Sequence, residues 1–230
     1  MQSMQEQQDI KDPWGNNNKK VLCWIVPIFD KIEITQGDNA MGKIILGSSS
    51  PRRADIIRKL KLDFEIIPSS YVEKHDKTDF SYDFVENLAY NKALYVAKEH
   101  RNDKRLVVGA DTIVVIGNKI LEKPKDFKEA KEMLTELSGQ THFVVTAIAV
   151  INPINLKYHI KSTTTYVTFE KLSRDQITSY ILHFNPLDKA GSYGIQELPK
   201  GFVKKVDGEI DNVIGLPAKT LKELLQLDYS

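Results

Sequence analysis

The chain has 230 residues, 41% of them hydrophobic, and a formal net charge of +1 at pH 7. This composition is typical of a globular protein with a sizeable core, and the near-neutral charge argues against nucleic acid or a membrane surface as a general partner. Cys23 is the only cysteine, which excludes an intrachain disulfide and favours a reducing, cytoplasmic compartment.

Residues 1–40 differ in composition from the rest of the chain. They are rich in Asn and Gln and show no hydrophobic periodicity, which predicts a disordered N-terminal extension. Their longest apolar run, VLCWIVPIF, is far shorter than the roughly 20 residues that cross a bilayer, and no small-residue cleavage site follows it. We therefore expect no membrane span and no secretion, and we place the folded domain at residues 41–230.

Runs rich in β-branched residues predict strands along that domain. They are KIIL, FEII, LVVG, TIVVI, FVVTAIAVI and TTTYVTF. Gly117-Asn118 and Asp207-Gly208 are typical of hairpin turns, so part of the sheet is expected to be antiparallel.

Capping residues mark the predicted helices that alternate with these strands. Asp126 and Ser173 each precede a Glu or Gln by three residues, which is the capping-box pattern, and apolar residues at helical spacing follow both. Pro51 and Pro217 suit the first turns of two further helices. The predicted fold class is α/β with a mixed sheet.

The segment ILGSSSPRR joins the first strand to the first helix and carries several groups that bind anions. Hydroxyls such as that of Ser48 and the N–H groups of a helix start favour a phosphate, and Arg52 and Arg53 can grip one bidentately. The alternative is an ordinary serine cap followed by solvated arginines. Because the segment lacks the Walker pattern, it does not predict a P-loop.

Asp111 interrupts the apolar run of RLVVGADTIVVIG. A buried carboxylate without a partner costs several kcal/mol. Either the chain turns at Gly-Ala-Asp-Thr and exposes Asp111, or the carboxylate has a cation or metal partner and acts as a general base or ligand beside the Thr112 hydroxyl.

Other polar residues are placed where they could reach the same site. Lys92 falls in the middle of an apolar helical face, so it either extends to solvent or meets an anion such as a phosphate. Lys123 lies in a strand-to-helix loop, and Glu73 follows the second strand. Gln196 lies in a glycine-containing loop, and its amide could read a base edge unless that loop is only a tight turn. Together these residues indicate a nucleotide-phosphate hydrolase.

The ordered segments resemble the Maf family of nucleoside triphosphate pyrophosphatases. SSSPRRADII is similar to its N-terminal signature and VVGADTIVV to its central one, and ILEKPKD, LSGQTH, LDKAGSYGIQ and VIGLP match further blocks in order. The resemblance covers about residues 43 to 228 and implies an inosine triphosphatase-like fold whose mixed, twisted sheet forms two lobes around a cleft.

The resemblance also implies a reaction, a cofactor and roles for individual residues. A nucleoside triphosphate and water give the monophosphate and pyrophosphate, with Mg²⁺ or Mn²⁺ as cofactor, often in a homodimer. Asp111 would activate water, and Glu73 with Asp111 would face the metal. The remaining positions divide into phosphate ligands and specificity residues: Ser48, Arg53, Lys92 and Lys123 would bind phosphates, and Arg52, Thr112 and Gln196 would select the substrate.

The combination of SPRR, GADT and YGIQ resembles the branch of the family that acts on dTTP and UTP, and CTP or modified pyrimidine nucleotides are further expected substrates. Glu197 departs from the pattern, since glycine usually follows this glutamine. The alternatives are an enzyme for 7-methyl-GTP or other modified purine nucleotides, and a nucleotide-binding regulator of septum formation.

Overall fold

The computed structural model describes residues 43–73 and 79–230. The predicted extension, residues 1–40, lies outside the described residues. The strands are β1 (Ile44–Leu46), β2 (Phe64–Ile66), β3 (Val107–Ile116), β4 (Lys119–Leu121), β5 (Thr141–Ile151), β6 (Tyr158–Phe169) and β7 (Val203–Asp207). The helices are α1 (Pro51–Lys59), α2 (Tyr82–Glu99), α3 (Phe127–Leu137), α4 (Arg174–Phe184), α5 (Ile210–Ile214) and α6 (Ala218–Leu225). None of them is long and apolar enough to cross a membrane.

The strands form one mixed sheet in the order β2-β1-β3-β5-β6-β7, and β4 pairs with β3 outside this path. β1 is parallel to both β2 and β3, whereas the other pairs are antiparallel. The predicted α/β class with a mixed sheet is therefore confirmed. LVVG and TIVVI were predicted as two strands, but they belong to the single strand β3, so the chain does not turn at Asp111.

One of the two predicted hairpins is present. Gly117 and Asn118 connect β3 to β4, and Gly117 has the positive φ of 59° that such a turn requires. The prediction for Asp207-Gly208 is wrong, because β7 leads directly into α5. Gly208 has a φ of 128°, and a Cβ there would lie 2.7 Å from Oγ1 of Thr165, so a close approach to β6 explains this glycine.

The caps follow the sequence with two differences. Ser173 and Gln176 exchange both bonds of a capping box. Oδ1 of Asp126 accepts the N–H of Glu129, but the Glu129 carboxylate accepts from the backbone of Lys125, so that box is half formed. Pro51 is the first residue of α1 as predicted, whereas Pro217 immediately precedes α6.

Three apolar clusters surround the sheet. α2 covers one face through Val85, Ala89, Ala93 and Val96. On the opposite face, one cluster holds α1 and α6 and a second holds α3 and α4, and both pack on β3 and β5. That face is therefore divided into two lobes.

A buried polar belt separates the two lobes. Thr112, Thr146 and Thr165 lie on neighbouring strands, and Asn212 of α5 inserts between them. The Asn212 amide donates to the carbonyl of Val144 and to the Thr165 hydroxyl, and its oxygen accepts the N–H of Thr146. These bonds satisfy the amide, which is why a buried asparagine is tolerated between apolar clusters.

The edge of β3 that faces β1 is split. β1 pairs with Val107 and Val108, and β4 pairs with residues 114–116, so residues 109–113 have no strand beside them on this edge within the described chain. The other edge of β3 pairs continuously with β5. This gap exposes the centre of β3, where Asp111 and Thr112 lie.

Candidate active site

A cavity of about 440 Å³ lies at the split edge of β3. Its lining includes every residue that the sequence analysis assigned a role: Ser48, Arg52, Arg53, Glu73, Lys92, Asp111, Thr112, Lys123 and Gln196. The structure thus brings all nine together, while their chemical roles stay predictions. Among the described residues the lining holds five Lys or Arg and three Asp or Glu side chains, which favours an anionic ligand.

Asp111 is held in the cavity wall by Lys92. Asp111 is 8% exposed, and its Oδ1 accepts from the ammonium of Lys92, which also lies 2.6 Å from Oε1 of Glu73. The sequence left open whether Asp111 is exposed on a turn or paired and whether Lys92 reaches solvent. Asp111 is buried and Lys92 turns inward to meet it, because the ion pair offsets part of the cost of removing each charge from water.

Gly109 makes this ion pair possible. A Cβ at this position would lie 2.5 Å from the carbonyl oxygen of Ala89 and 2.6 Å from the backbone nitrogen of Ala93, so α2 packs directly on the backbone of β3. Asp111 points to the same face of the sheet as Gly109 because side chains alternate along a strand. The close approach therefore places Lys92, the neighbour of Ala93, against Asp111.

Arg53 is fixed by three acceptors on different segments. Its Nε donates to the carbonyl of Gly215 at 2.9 Å, Nη1 to the Ser48 hydroxyl at 3.1 Å and Nη2 to the Thr112 hydroxyl at 3.1 Å. Burial lowers the pKa of the Arg53 guanidinium from its ordinary value, and the nearby Asp111 carboxylate opposes this shift. The guanidinium is thus an oriented positive charge in the cavity wall.

Thr112 contributes to this arrangement from the opposite face of the sheet to Asp111. Its hydroxyl lies 3.0 Å from that of Thr146, whose own hydroxyl donates to the backbone carbonyl of Asn212. The polar belt between the lobes therefore ends at Arg53. Adjacent strand residues can line one cavity only because the cavity lies at the gap beside the strand.

The opposite wall comes from residues 186–197, which form three short 3₁₀ turns. Asp188 accepts from Nη1 of Arg52 through Oδ2 at 2.7 Å and from Nζ of Lys189 through Oδ1 at 2.7 Å. Burial raises the pKa of Asp188, but these two hydrogen bonds outweigh it and hold the pKa below its usual range. Gln196 is half-buried in the last of these turns, and Lys123 is exposed at the cavity rim.

The sequence analysis missed three groups at the site, Asp188, Lys189 and Gly215. Gly215, within the VIGLP block, accepts from Arg53 and has a φ of 123°, and a Cβ there would lie 3.3 Å from Oγ1 of Thr112. Lys189, within the LDKAGSYGIQ block, was given no role, although it is buried in the wall. A glycine between helix patterns was the available signal for Gly215, whereas nothing local predicts that Lys189 turns inward.

Comparison with known sequences agrees with the ordered motifs. A sequence model of the family described as "Maf-like protein" matches residues 43–227. The chain belongs to the Maf family. The seven-stranded mixed sheet with flanking helices is consistent with the Maf fold.

Three curated relatives of this chain share the name dTTP/UTP pyrophosphatase. The dTTP/UTP pyrophosphatase of Acetivibrio thermocellus is 41% identical over 191 residues, which cover 81% of this chain and 95% of the relative. The protein of the same name from Bacillus mycoides is 43% identical over 189 residues, 82% of this chain and 97% of the relative. That from Thermoanaerobacter pseudethanolicus is 41% identical over 187 residues, 81% and 97% respectively.

The geometry gives this Maf protein an oriented carboxylate beside a cationic pocket. Asp111 and Arg53 are fixed in position before any ligand enters, so little reorganisation is required when charge develops nearby. Within the described residues, no group of three or more His, Cys, Asp or Glu is disposed to hold a metal ion. Asp111 and Glu73 nevertheless converge on one positive group, the Lys92 ammonium.

Proposed function

We propose that this chain hydrolyses dTTP and UTP to the nucleoside monophosphate and pyrophosphate. The observation that carries the proposal is the position of Asp111, a buried strand carboxylate in the wall of a cavity whose lining is net positive. The name of the relatives, dTTP/UTP pyrophosphatase, supports the same substrates and favours them over 7-methyl-GTP.

Asp111 is the general base in this proposal. Its Oδ1 is engaged by Lys92, so we assign Oδ2 to the attacking water. The water oxygen forms a bond to the α-phosphorus, and the bond from that phosphorus to the oxygen bridging to the β-phosphate breaks. Pyrophosphate leaves with the electron pair, and the carboxylate takes the proton of the water.

The cations and Ser48 hold the phosphates. Phosphoryl transfer spreads negative charge over the equatorial oxygens, so fixed positive groups aimed at them lower the barrier. The three acceptors that fix Arg53 orient its guanidinium in this way. We assign Lys123 and Lys92 to the same electrostatic task, whereas Arg52 and Thr112, together with Gln196, are assigned to substrate selection.

A divalent ion, Mg²⁺ or Mn²⁺, is part of the proposal. The carboxylates of Asp111 and Glu73 converge on the Lys92 ammonium, so two hard oxygen donors already face one positive charge. Carboxylate oxygens together with phosphate oxygens and water are the ligands that these ions prefer, and the two residues therefore fit such an ion. When bound, the ion would neutralise charge on the phosphate oxygens.

The nucleobase of the substrate is assigned to the wall that carries Gln196, whose amide can donate to and accept from a pyrimidine edge. A homodimer and a cytoplasmic location belong to the proposal as well. They are supported by the family resemblance and by the single cysteine, respectively.

Replacement of the general base, Asp111, tests the proposal. Asp111→Asn is expected to lower pyrophosphate release from dTTP at least 100-fold, since removal of a general base costs about 10²–10⁴ in rate. Binding of dTTP, measured by calorimetry with Mg²⁺, is expected to persist. Asp207→Asn, which changes an exposed carboxylate on β7, is the matched control and should retain full turnover.

A substrate panel defines the specificity in the same assay. We expect dTTP and UTP to be the best substrates among dTTP, UTP, CTP, ITP and 7-methyl-GTP. Pyrophosphate release by Asp111→Asn at the wild-type rate would refute the assignment of the base. Preference of the wild-type protein for a purine nucleotide would refute the proposed substrates.

A further inference from the structure

Lys189 lies in the cavity wall and depends on two carboxylates. The residue is 7% exposed, and its ammonium lies 2.7 Å from Oδ1 of Asp188 and 3.2 Å from Oε2 of Glu197. An ammonium buried in this way is stable only if anions compensate its charge. Asp188 is also bonded to Arg52, so Glu197 is the partner that Lys189 does not share with that arginine.

These four side chains form a line of alternating charge. It runs from Arg52 on α1 through Asp188 and Lys189 to Glu197. The line thus connects Arg52, a predicted specificity residue, to the residue that follows Gln196, another one. The charges of the four cancel. Removal of the last carboxylate leaves Lys189 to rely on Asp188 alone, in competition with Arg52.

The Glu197 carboxylate also packs on the backbone of its own loop. A Cβ on Gly194 would lie 3.1 Å from Oε2 of Glu197 and 3.1 Å from Cε of Lys189, so the ion pair covers this glycine. The N–H of Glu197 donates to the carbonyl of Gly194 at 2.9 Å, and the N–H of Gly194 donates to the buried hydroxyl of Tyr180. The ion pair thus joins the two ends of the 189–197 segment over a turn that Tyr180 anchors.

Gln196 is carried on this closed segment. It occupies the middle of the last 3₁₀ turn, Ile195–Glu197, and lines the cavity. An amide can discriminate between bases only if its donor and acceptor have fixed positions, since a mobile amide can satisfy either pattern. The position of Gln196 therefore depends on how tightly the segment is closed.

We propose that Glu197 is a positioning residue for base selection, which closes the 189–197 segment through Lys189 and so fixes the amide of Gln196. This inference rests on the proposed function, because it concerns the choice among nucleotides that the same cavity hydrolyses. Glu197 is not among the residues that line the cavity, so it is not assigned a contact with the substrate. It acts through Lys189.

The test compares selectivity with turnover. The readout is the ratio of kcat/KM for dTTP to kcat/KM for dGTP. Glu197→Gln keeps the size of the side chain and removes its charge, and it is expected to lower this ratio about tenfold, a typical coupling for neighbouring charges. The kcat with dTTP should change less than about threefold. Glu223→Gln is the matched control, because it breaks a 2.6 Å ion pair with Lys161 outside the cavity and should leave the ratio unchanged.

A second variant shows whether Glu197 acts through Lys189. Lys189→Met is expected to lower the ratio as well, and the double variant should lose no more than the larger of the two single effects. Additive losses would overturn the inference, as would an unchanged ratio in Glu197→Gln or an equal fall in kcat for every nucleotide. No pyrophosphate from either pyrimidine nucleotide with the wild-type protein would overturn the proposed function and this inference with it. An active wild-type protein whose ratio survives in Glu197→Gln would overturn this inference alone.

Discussion

His142 makes the folded protein sensitive to acid. The imidazole is 1% exposed, its Nε2 lies 2.7 Å from the hydroxyl of Tyr193, and its Nδ1 has no hydrogen-bond partner among the described residues. Burial lowers the pKa of His142 from 6.5 to about 4. Between these values the unfolded chain binds the proton and the folded chain does not, so the free energy of unfolding falls as the pH drops through this window. With about 1.4 kcal/mol per pKa unit, we expect roughly 2.5 kcal/mol to be lost by pH 4.5.

Urea unfolding between pH 7.5 and pH 4.5, followed by circular dichroism, measures this loss. Carboxylates titrate in the same range, so the informative quantity is the difference between the wild type and His142→Phe. That variant is expected to show a shallower decline below pH 6.5. Tyr193→Phe is the matched control, because it removes the same hydrogen bond but keeps the imidazole, and it should retain the wild-type slope. Parallel profiles for the wild type and His142→Phe would refute the argument.

Three further substitutions test how the site is built. Gly109→Ala is expected to lower the free energy of unfolding by about 1–3 kcal/mol and to lower turnover. The reason is that its Cβ would lie 2.5 Å from the carbonyl oxygen of Ala89 and push α2 away. Wild-type stability in urea would contradict this packing. Gln196→Ala and Thr112→Ala are each expected to broaden the choice of nucleotide more than they slow turnover, the latter because it removes an acceptor that orients Arg53. Unchanged relative rates across the nucleotide panel in either variant would contradict its specificity role.

Local signals in the sequence predicted much of the fold. The capping box at Ser173, the turn at Gly117 and the β-branched strands depend on neighbouring residues, and each is present. β7 was missed because its VKKVD sequence alternates weakly and carries two exposed lysines. Its strand conformation comes from pairing with β6, an interaction that the local pattern does not contain.

The candidate site was predicted as a set of residues rather than as an arrangement. The ordered motifs identified the side chains that line the cavity, because each motif is a short segment. The bonds between them join distant segments, such as Arg52 to Asp188 and Arg53 to Gly215. Such pairings depend on how the sheet and helices pack. Neither the three hydrogen bonds of Arg53 nor the burial of Lys189 could therefore be derived from spacing.

Asp111 shows why a sequence pattern can have two physical outcomes. A carboxylate in an apolar strand is unstable alone, which made a turn as reasonable as a paired, buried side chain. The deciding residue is Gly109, whose missing Cβ lets α2 approach β3 and bring Lys92 to the carboxylate. The gap between β1 and β4 then opens the same stretch of β3 to the cavity. One strand can therefore keep its pairing with β5 intact while it presents a charged group to a ligand, and this rigidity holds the proposed general base in place.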